Sequence, residues 1–340
     1  MARTPLSWLA GRYTLGPRSI RAAAVASVVA AIGIIMTGGV VRVTGSGLGC
    51  PDWPMCTDST LAPTAEMGLH GAIEFSNRML TSVLCVVVGW VIIAARLQST
   101  PMPRVLRGGW AQFWVVVLNA VVGGVTVWLK LSPYIVAAHF LAAMLLLTTA
   151  VVTWDATLHA TSGEAADAAP DDRRSVPSGR ARGLATALMA VTAVMVVVGT
   201  VTSGTGPHAG DSSDVPRIGL DWTTVTVVHG VLAGAVLVLA ALLFAALRPD
   251  PSGGGARRRT ALFLVALVAQ GLLGVVQSLT GLPEAAVILH LLGAAMVWVG
   301  ALRVLLAVRP ARRPVPAGPE TAGPETALPA PGARTPEHAA

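Results

Sequence analysis

The amino-acid sequence predicts an all-α polytopic membrane protein whose eight transmembrane helices form two pseudo-repeated four-helix bundles. Three observations lead there. Apolar runs of membrane-spanning length recur along the chain, basic residues gather between alternate pairs of runs, and the second half repeats polar positions of the first. With 54% hydrophobic and 12% charged residues among 340, and a mean hydropathy of +0.68, a soluble globule is excluded.

The runs fall at 20–41, 70–95, 109–129, 134–154, 183–203, 222–247, 260–280 and 284–307, each near the ~20 residues that cross a bilayer. The first is too long for a cleaved signal peptide and has no small-residue cleavage site at its flank, so it counts as a retained helix. The second carries Glu74 and Arg78, and charge in lipid is costly and usually functional. The third and fourth are joined by a short turn, as are the seventh and eighth. Between the fifth and sixth lies a segment that opens with "GTVTSGTGPHAG", just as "VRVTGSGLG" comes after the first.

Charge sets the topology. The chain carries a net +7, and all but four of its 24 Lys and Arg lie in segments that share one side; the exceptions are Arg42, Arg78, Lys130 and Arg217. By the positive-inside rule both termini are cytoplasmic, and the basic excess is a topology signal rather than a nucleic-acid footprint. The predicted organisation is a cytoplasmic N-terminal tail (1–19), an N-terminal four-helix half (20–154), a cytoplasmic linker (155–182), a C-terminal four-helix half (183–307) and a disordered cytoplasmic tail (308–340). The linker and tail are rich in Ala, Pro, Gly and charge, a composition that builds no packed core. His159 is grouped with the flexible inner segments.

Cys50 and Cys56 flank "CPDWPMC" in the loop placed outside, where disulfides persist. A bridge between them is expected, the alternatives being free thiols or a redox pair that passes reducing equivalents. Cys85, within the second helix, is expected to be inert packing.

The repeat is explicit. "NAVVGGVTVWLKLSPYIVAAHFLAAM" (119–144) and "QGLLGVVQSLTGLPEAAVILHLLGAAM" (270–296) align Asn119 with Gln270, Gly123 with Gly274 and His139 with His290, all at an offset of 151 residues. His229 on the sixth helix then corresponds to Asn77 on the second. These four positions lie roughly five to eight residues from the outer helix ends, about 8 to 12 Å deep at ~1.5 Å per residue, so they form one layer. His229 and His290 face each other across the core of one half, as the two axial ligands of a haem would; another metal or structural hydrogen bonding are the alternatives. Gly123, Gly124, Gly271 and Gly274 would leave room for a flat ring or serve close helix packing.

The first half keeps His139 but offers Asn77, a poor iron ligand, opposite it. His70, Glu74, Asn77 and Arg78 share one face of the second helix by their spacing. Two readings of Glu74 and Arg78 stay open: an ion pair that fixes helix packing, or a carboxylate that handles protons or stabilises a cation, with Arg78 holding it or a haem propionate. His70, Met79, His208, Arg42 and Arg217 are weaker candidates, the last two as outer-face cations suited to propionates.

The ordered motifs "VRVTGSGLGCPDWPMC", "IEFSNRML", "LNAVVGGVTV", "VAAHFLAAM", "VTSGTGPHAGD" and "QGLLGVVQSLTGLPEAAVILHLLGA", spread over residues 20 to 307, resemble the haem A synthase family. That resemblance implies an enzyme of a bacterial plasma membrane that oxidises the C8 methyl of haem O to a formyl group by successive hydroxylations, giving haem A for cytochrome oxidase. It further implies a cofactor haem b between His229 and His290 and a substrate haem at His139. Glu74 would be the essential acid, acting on a carbocation or a proton at the methyl carbon, with Asn77 and Arg78 in the substrate's vicinity. Implied partners are the haem O synthase, cytochrome oxidase assembly components, an electron donor and the lipid bilayer. Asn77 departs from the family's commonest motif, Glu-x-x-His. The rival readings are a dihaem electron-transfer protein without hydroxylase activity, which needs two fully ligated haems, and a transporter, which would favour broken helices at the midplane.

Overall fold

Three helices of the first half begin at a proline, Pro17, Pro103 and Pro133, whose missing N–H costs nothing in a first turn. In the second half side chains open two helices: Ser178 accepts a hydrogen bond from the Ala181 amide at 3.2 Å and Asp221 one from the Thr224 amide at 2.7 Å. The computed structural model describes residues 5–166, 178–213, 215–247 and 255–309. Its elements are α1 (Pro5–Ala10), α2 (Pro17–Val43), a 3₁₀ turn (Ala65–Met67), α3 (Gly68–Arg96), α4 (Pro103–Trp128), α5 (Pro133–Ala166), α6 (Gly179–Thr205), α7 (Trp222–Ala246), α8 (Ala256–Leu279) and α9 (Glu284–Ala307). Helices α2 to α9 are all long and apolar enough to cross a membrane, so the chain is a multi-pass membrane protein.

In the first half α2 packs on α3 and α5, and α4 on both α3 and α5; in the second α6 packs on α7 and α9, and α8 on both α7 and α9. The halves meet where α2 touches α9, α5 touches α6, and α5 touches α9. Exchanging α2 with α6 and α5 with α9 leaves this set of contacts unchanged, the signature of a pseudo-two-fold axis between the halves. Val28, Ile35, Leu147, Val151, Ala295 and Leu302 pack across the seam. The Trp298 indole donates to Thr148 Oγ1 at 2.8 Å from α9 to α5, a polar tie of the kind lipid-embedded helices use.

The repeat extends to the backbone. After α4, Lys130 and Leu131 take left-handed φ values of 47° and 58°, and the Leu131 amide donates to Thr126 O at 2.8 Å. After α8, Gly281 and Leu282 take 78° and 60°, and the Leu282 amide donates to Gln277 O at the same distance. The two helix ends stop in the same way at the same 151-residue offset. The paired motifs also meet in space, since the Gly47 amide donates to Gly210 O at 2.7 Å and Ser46 bridges Asp211. A Cβ at Gly47 would lie 2.6 Å from Gly210 O, so only glycine allows that approach.

Some expectations change. Helix α5 does not stop at 154 but runs to Ala166, carrying the start of the expected linker, with Asp155 and His159 paired one turn apart on the extension. His159 accordingly sits on a helix, 3.3 Å from Asp155 one turn back, and Arg259 lies 3.9 Å from the same carboxylate. Part of the expected N-terminal tail forms α1, and the Leu15 amide ties the following segment to Leu97 O at 2.8 Å. Cys85 is exposed on α3 rather than packed inside. Most of the linker from 167 and the tail from 310 lie outside the described residues.

Lys130 is held in a left-handed conformation that Gly281 adopts freely. Lys130→Gly is therefore expected to stabilise the protein by about 1 kcal/mol, read as a raised Tm in detergent; an unchanged or lowered Tm would count against the turn as described.

Candidate functional site

Three histidine rings occupy the same local setting, each against a glycine of the preceding helix. A Cβ placed on Gly123 of α4 would be 3.1 Å from His139 Cε1, on Gly199 of α6 it would be 3.0 Å from His229 Cε1, and on Gly274 of α8 it would be 3.2 Å from His290 Cε1. Any larger residue would push the ring away. Gly123 and Gly274 thus do what their alignment predicts, whereas Gly271 faces open space. Gly199 is not apparent from the sequence because the α6 segment aligns only loosely with α2.

In the second half His229 and His290 come together. Their ring centroids are 6.5 Å apart with planes inclined at 61°. Two imidazoles on opposite faces of one metal ion, each bonded at about 2 Å through a ring nitrogen, need a separation of this size. His229 Nδ1 donates to Met195 O at 3.1 Å, which leaves Nε2 as the lone-pair nitrogen, the usual way a backbone carbonyl orients a ligating histidine. His290 is positioned through its backbone, whose carbonyl accepts from Gln270 Nε2 at 2.8 Å. Buried polar atoms with no partner in the same half include Thr226 Oγ1 on α7, Gln270 Oε1 and Gln277 Oε1 on α8, and His290 Nδ1 on α9. Native interiors leave few such atoms unpaired, so the donor set and its surroundings fit a bound group with a metal at its centre. No cluster of three His, Cys, Asp or Glu suited to a bare metal ion occurs among the described residues, and two histidines alone suit an iron whose other ligands come from a macrocycle.

The first half is built differently. His139 has its glycine, and its Nδ1 is buried without a partner. Asn77, at the position matching His229, is tied to the neighbouring helix: its Oδ1 accepts from Thr37 Oγ1 at 2.7 Å.

Glu74 is only 5% exposed. Its Oε2 accepts the Cys50 amide at 2.6 Å and its Oε1 accepts Arg78 Nε at 3.1 Å and Nη2 at 2.5 Å. Arg78 then turns the rest of its fork on the loop before α3, with Nη1 donating to Asp52 O at 2.8 Å and Met55 O at 3.1 Å, and Nη2 to Cys50 O at 3.1 Å. Each guanidinium nitrogen is in use. Of the roles left open for Arg78, holding Glu74 is the one its contacts support.

The loop it grips is closed by a Cys50–Cys56 disulfide. Trp53, inside "CPDWPMC" but not singled out from the sequence, lies against α4: a Cβ on Gly124 would sit 2.6 Å from its ring, and Trp128 meets it edge-on at 5.5 Å. Gly124 therefore serves a tryptophan and not a flat ligand, while Gly123 beside it serves His139. The loop lies over the N-terminal part of α3, against Glu74 and Arg78, and over the C-terminal part of α4 at Gly124.

The remaining candidates do not join this group. His70 is exposed and shares a hydrogen bond with Ser46 Oγ at 3.0 Å, and Met79 is 39% exposed. His208 Nε2 donates to Leu282 O at 2.9 Å and so secures the left-handed turn before α9. Arg42 and Arg217 both reach Ser203 O, at 2.7 and 3.4 Å.

Comparison with known proteins points the same way. Residues 21–302 match the COX15-CtaA family, described as cytochrome oxidase assembly proteins. A Heme A synthase of Geobacillus kaustophilus is 27% identical over 144 residues, 40% of this chain and 44% of that protein. One of Geobacillus thermodenitrificans is 27% identical over 106 residues, 31% and 32% of the two chains, and one of Bacillus cereus is 29% identical over 108 residues, 32% and 34%. The aligned stretches thus span between about a third and under half of these relatives. The family match covers most of the chain, all eight membrane helices included, and the protein belongs to the COX15-CtaA family of cytochrome oxidase assembly proteins.

Proposed function

We propose that this protein is a haem A synthase, oxidising the C8 methyl of haem O to the formyl of haem A, with its substrate in the N-terminal half and a haem b in the C-terminal half. The observation that carries this is the His229–His290 pair at 6.5 Å, in a chain whose other half keeps only one such histidine. One half is equipped to hold an iron on both faces. The other offers His139 alone, since Asn77 is engaged with Thr37.

His229 and His290 would hold haem b, and that group would supply one-electron redox chemistry. His139 would bind the substrate iron on one face. Glu74 is the acidic group of the substrate half, held by Arg78 and the Cys50 amide so that its carboxylate stays fixed as charge develops at the substrate's methyl carbon. There it would balance positive charge or accept a proton. Trp53 and the disulfide loop would limit water entry from the outer side. The disulfide supports placing this loop on the oxidising side of the membrane, with both termini cytoplasmic by the distribution of Arg and Lys. The enzyme that supplies haem O, an electron donor and other assembly components are the partners this role requires.

Glu74→Gln should leave haem b bound and lower haem A output by roughly a hundredfold or more, measured by chromatography of haems extracted from cells that also make haem O. Normal haem A formation in that variant would remove Glu74 from the mechanism. His229→Ala should abolish the low-spin haem b spectrum of the purified protein, and its persistence would refute the ligand pair. Haem b without any haem A or hydroxylated product in the unaltered protein would favour an electron carrier. Arg78→Gln leaves Glu74 buried without its partner, so it should destabilise the fold by about 3 kcal/mol, read as faster protease cutting within residues 50–56; unaltered cutting would show that the loop is held by other contacts.

A further inference from the structure

Arg42, in the last turn of α2, and Arg217, in the segment before α7, come from different halves and converge on one backbone oxygen, Ser203 O of α6. A single cation near the carbonyl end of a helix is ordinary. Two are not needed, and the Arg217 contact, at 3.4 Å, is long for a hydrogen bond. Among the described residues neither arginine lies within ion-pair distance of a carboxylate. Burial lowers the Arg217 pKa below its ordinary value.

The placement of this pair gives it a ligand. Ser203 lies four residues after Gly199, the residue against which the His229 ring rests. Four residues are one turn of the same helix face, about 6 Å further along α6. Arg217 also lines a cavity of about 510 Å³ with Thr205, Ser213 and Trp222. Trp222 begins α7, seven residues before His229, so the cavity lies about 10 Å along α7 from that histidine.

We infer that Arg42 and Arg217 form the receptor for the carboxylates of the porphyrin held between His229 and His290. This rests on the proposed haem b site. A porphyrin carries its two propionates on one edge, and guanidinium forks match carboxylates in geometry and charge. The arrangement makes a residue of the N-terminal half, Arg42, part of the cofactor site of the C-terminal half, and it fixes which edge of the macrocycle faces this end of the bundle.

The test uses the purified full-length chain, produced without haem and titrated with haem b and with its dimethyl ester, in which both carboxylates are capped. The readouts are the low-spin Soret band and the dissociation constant. The unaltered protein should bind haem b at least tenfold more tightly than the ester. Arg217→Gln and Arg42→Gln should each weaken haem b binding by about tenfold while barely changing the ester, and Arg217→Lys should recover part of the loss. A low-spin band with equal affinity for both compounds overturns the carboxylate receptor and leaves the histidine pair standing. Equal weakening of both by Arg217→Gln also overturns it, since that is the pattern of a structural residue. Absence of a low-spin band with either compound overturns the haem reading and this inference together.

Discussion

The rings of His139, His229 and His290 can lie close to a helix because the residue beneath each, Gly123, Gly199 or Gly274, has no side chain. That close approach brings α4 to α5, α6 to α7 and α8 to α9, and these are the most extensive helix pairings in the molecule. In lipid, apolar burial gives helices little reason to prefer one another, so small residues and polar ties decide which faces meet. The same glycines therefore set both the packing of the bundle and the orientation of the imidazoles. A methyl group at any of them would disturb both at once.

The halves depart from each other on top of this shared plan. At corresponding positions His229 donates to a backbone carbonyl of α6, whereas Asn77 accepts from the Thr37 hydroxyl of α2. The first arrangement leaves a ring nitrogen free to ligate. The second uses the side-chain oxygen to join two helices. Glu74 and Arg78 have no charged counterpart on α7, and through them the N-terminal half gains a buried charge pair with the disulfide-closed loop bound to it. Removing one member of such a pair is costly while the pair itself adds little net stability, so its presence is better explained by what it positions than by what it stabilises.

Most of this was legible in the sequence where period and composition carry the signal. The eight helices fall within a few residues of the apolar runs, except that α4 begins six residues before its run and α5 continues past the hydrophobic stretch to Ala166. The His139 and His290 alignment was visible because the intervening turn has the same length in both halves. What stayed hidden depends on contacts between distant segments. Trp53 in its notch at Gly124, His208 on the Leu282 carbonyl, and the Asn77 to Thr37 bond join positions 71, 74 and 40 residues apart. Nothing in local composition distinguishes a histidine that secures a turn from one exposed to solvent. The second use of Arg78, gripping three loop carbonyls, was equally invisible, since backbone acceptors leave no mark in the residue types.

The bond from the Gly47 amide to Gly210 O joins segments that emerge from the ribosome far apart in time. When the first four helices are complete, the chain around Ser46 has its bonds to Val41 O and His70 but still lacks the one to Gly210 O, which can form only after α6 and the turn beyond it have been synthesised. An order of assembly is built into the chain, in which the second half acts as a clasp for the first, and a truncated product ending in the linker would carry its outer edge unfastened.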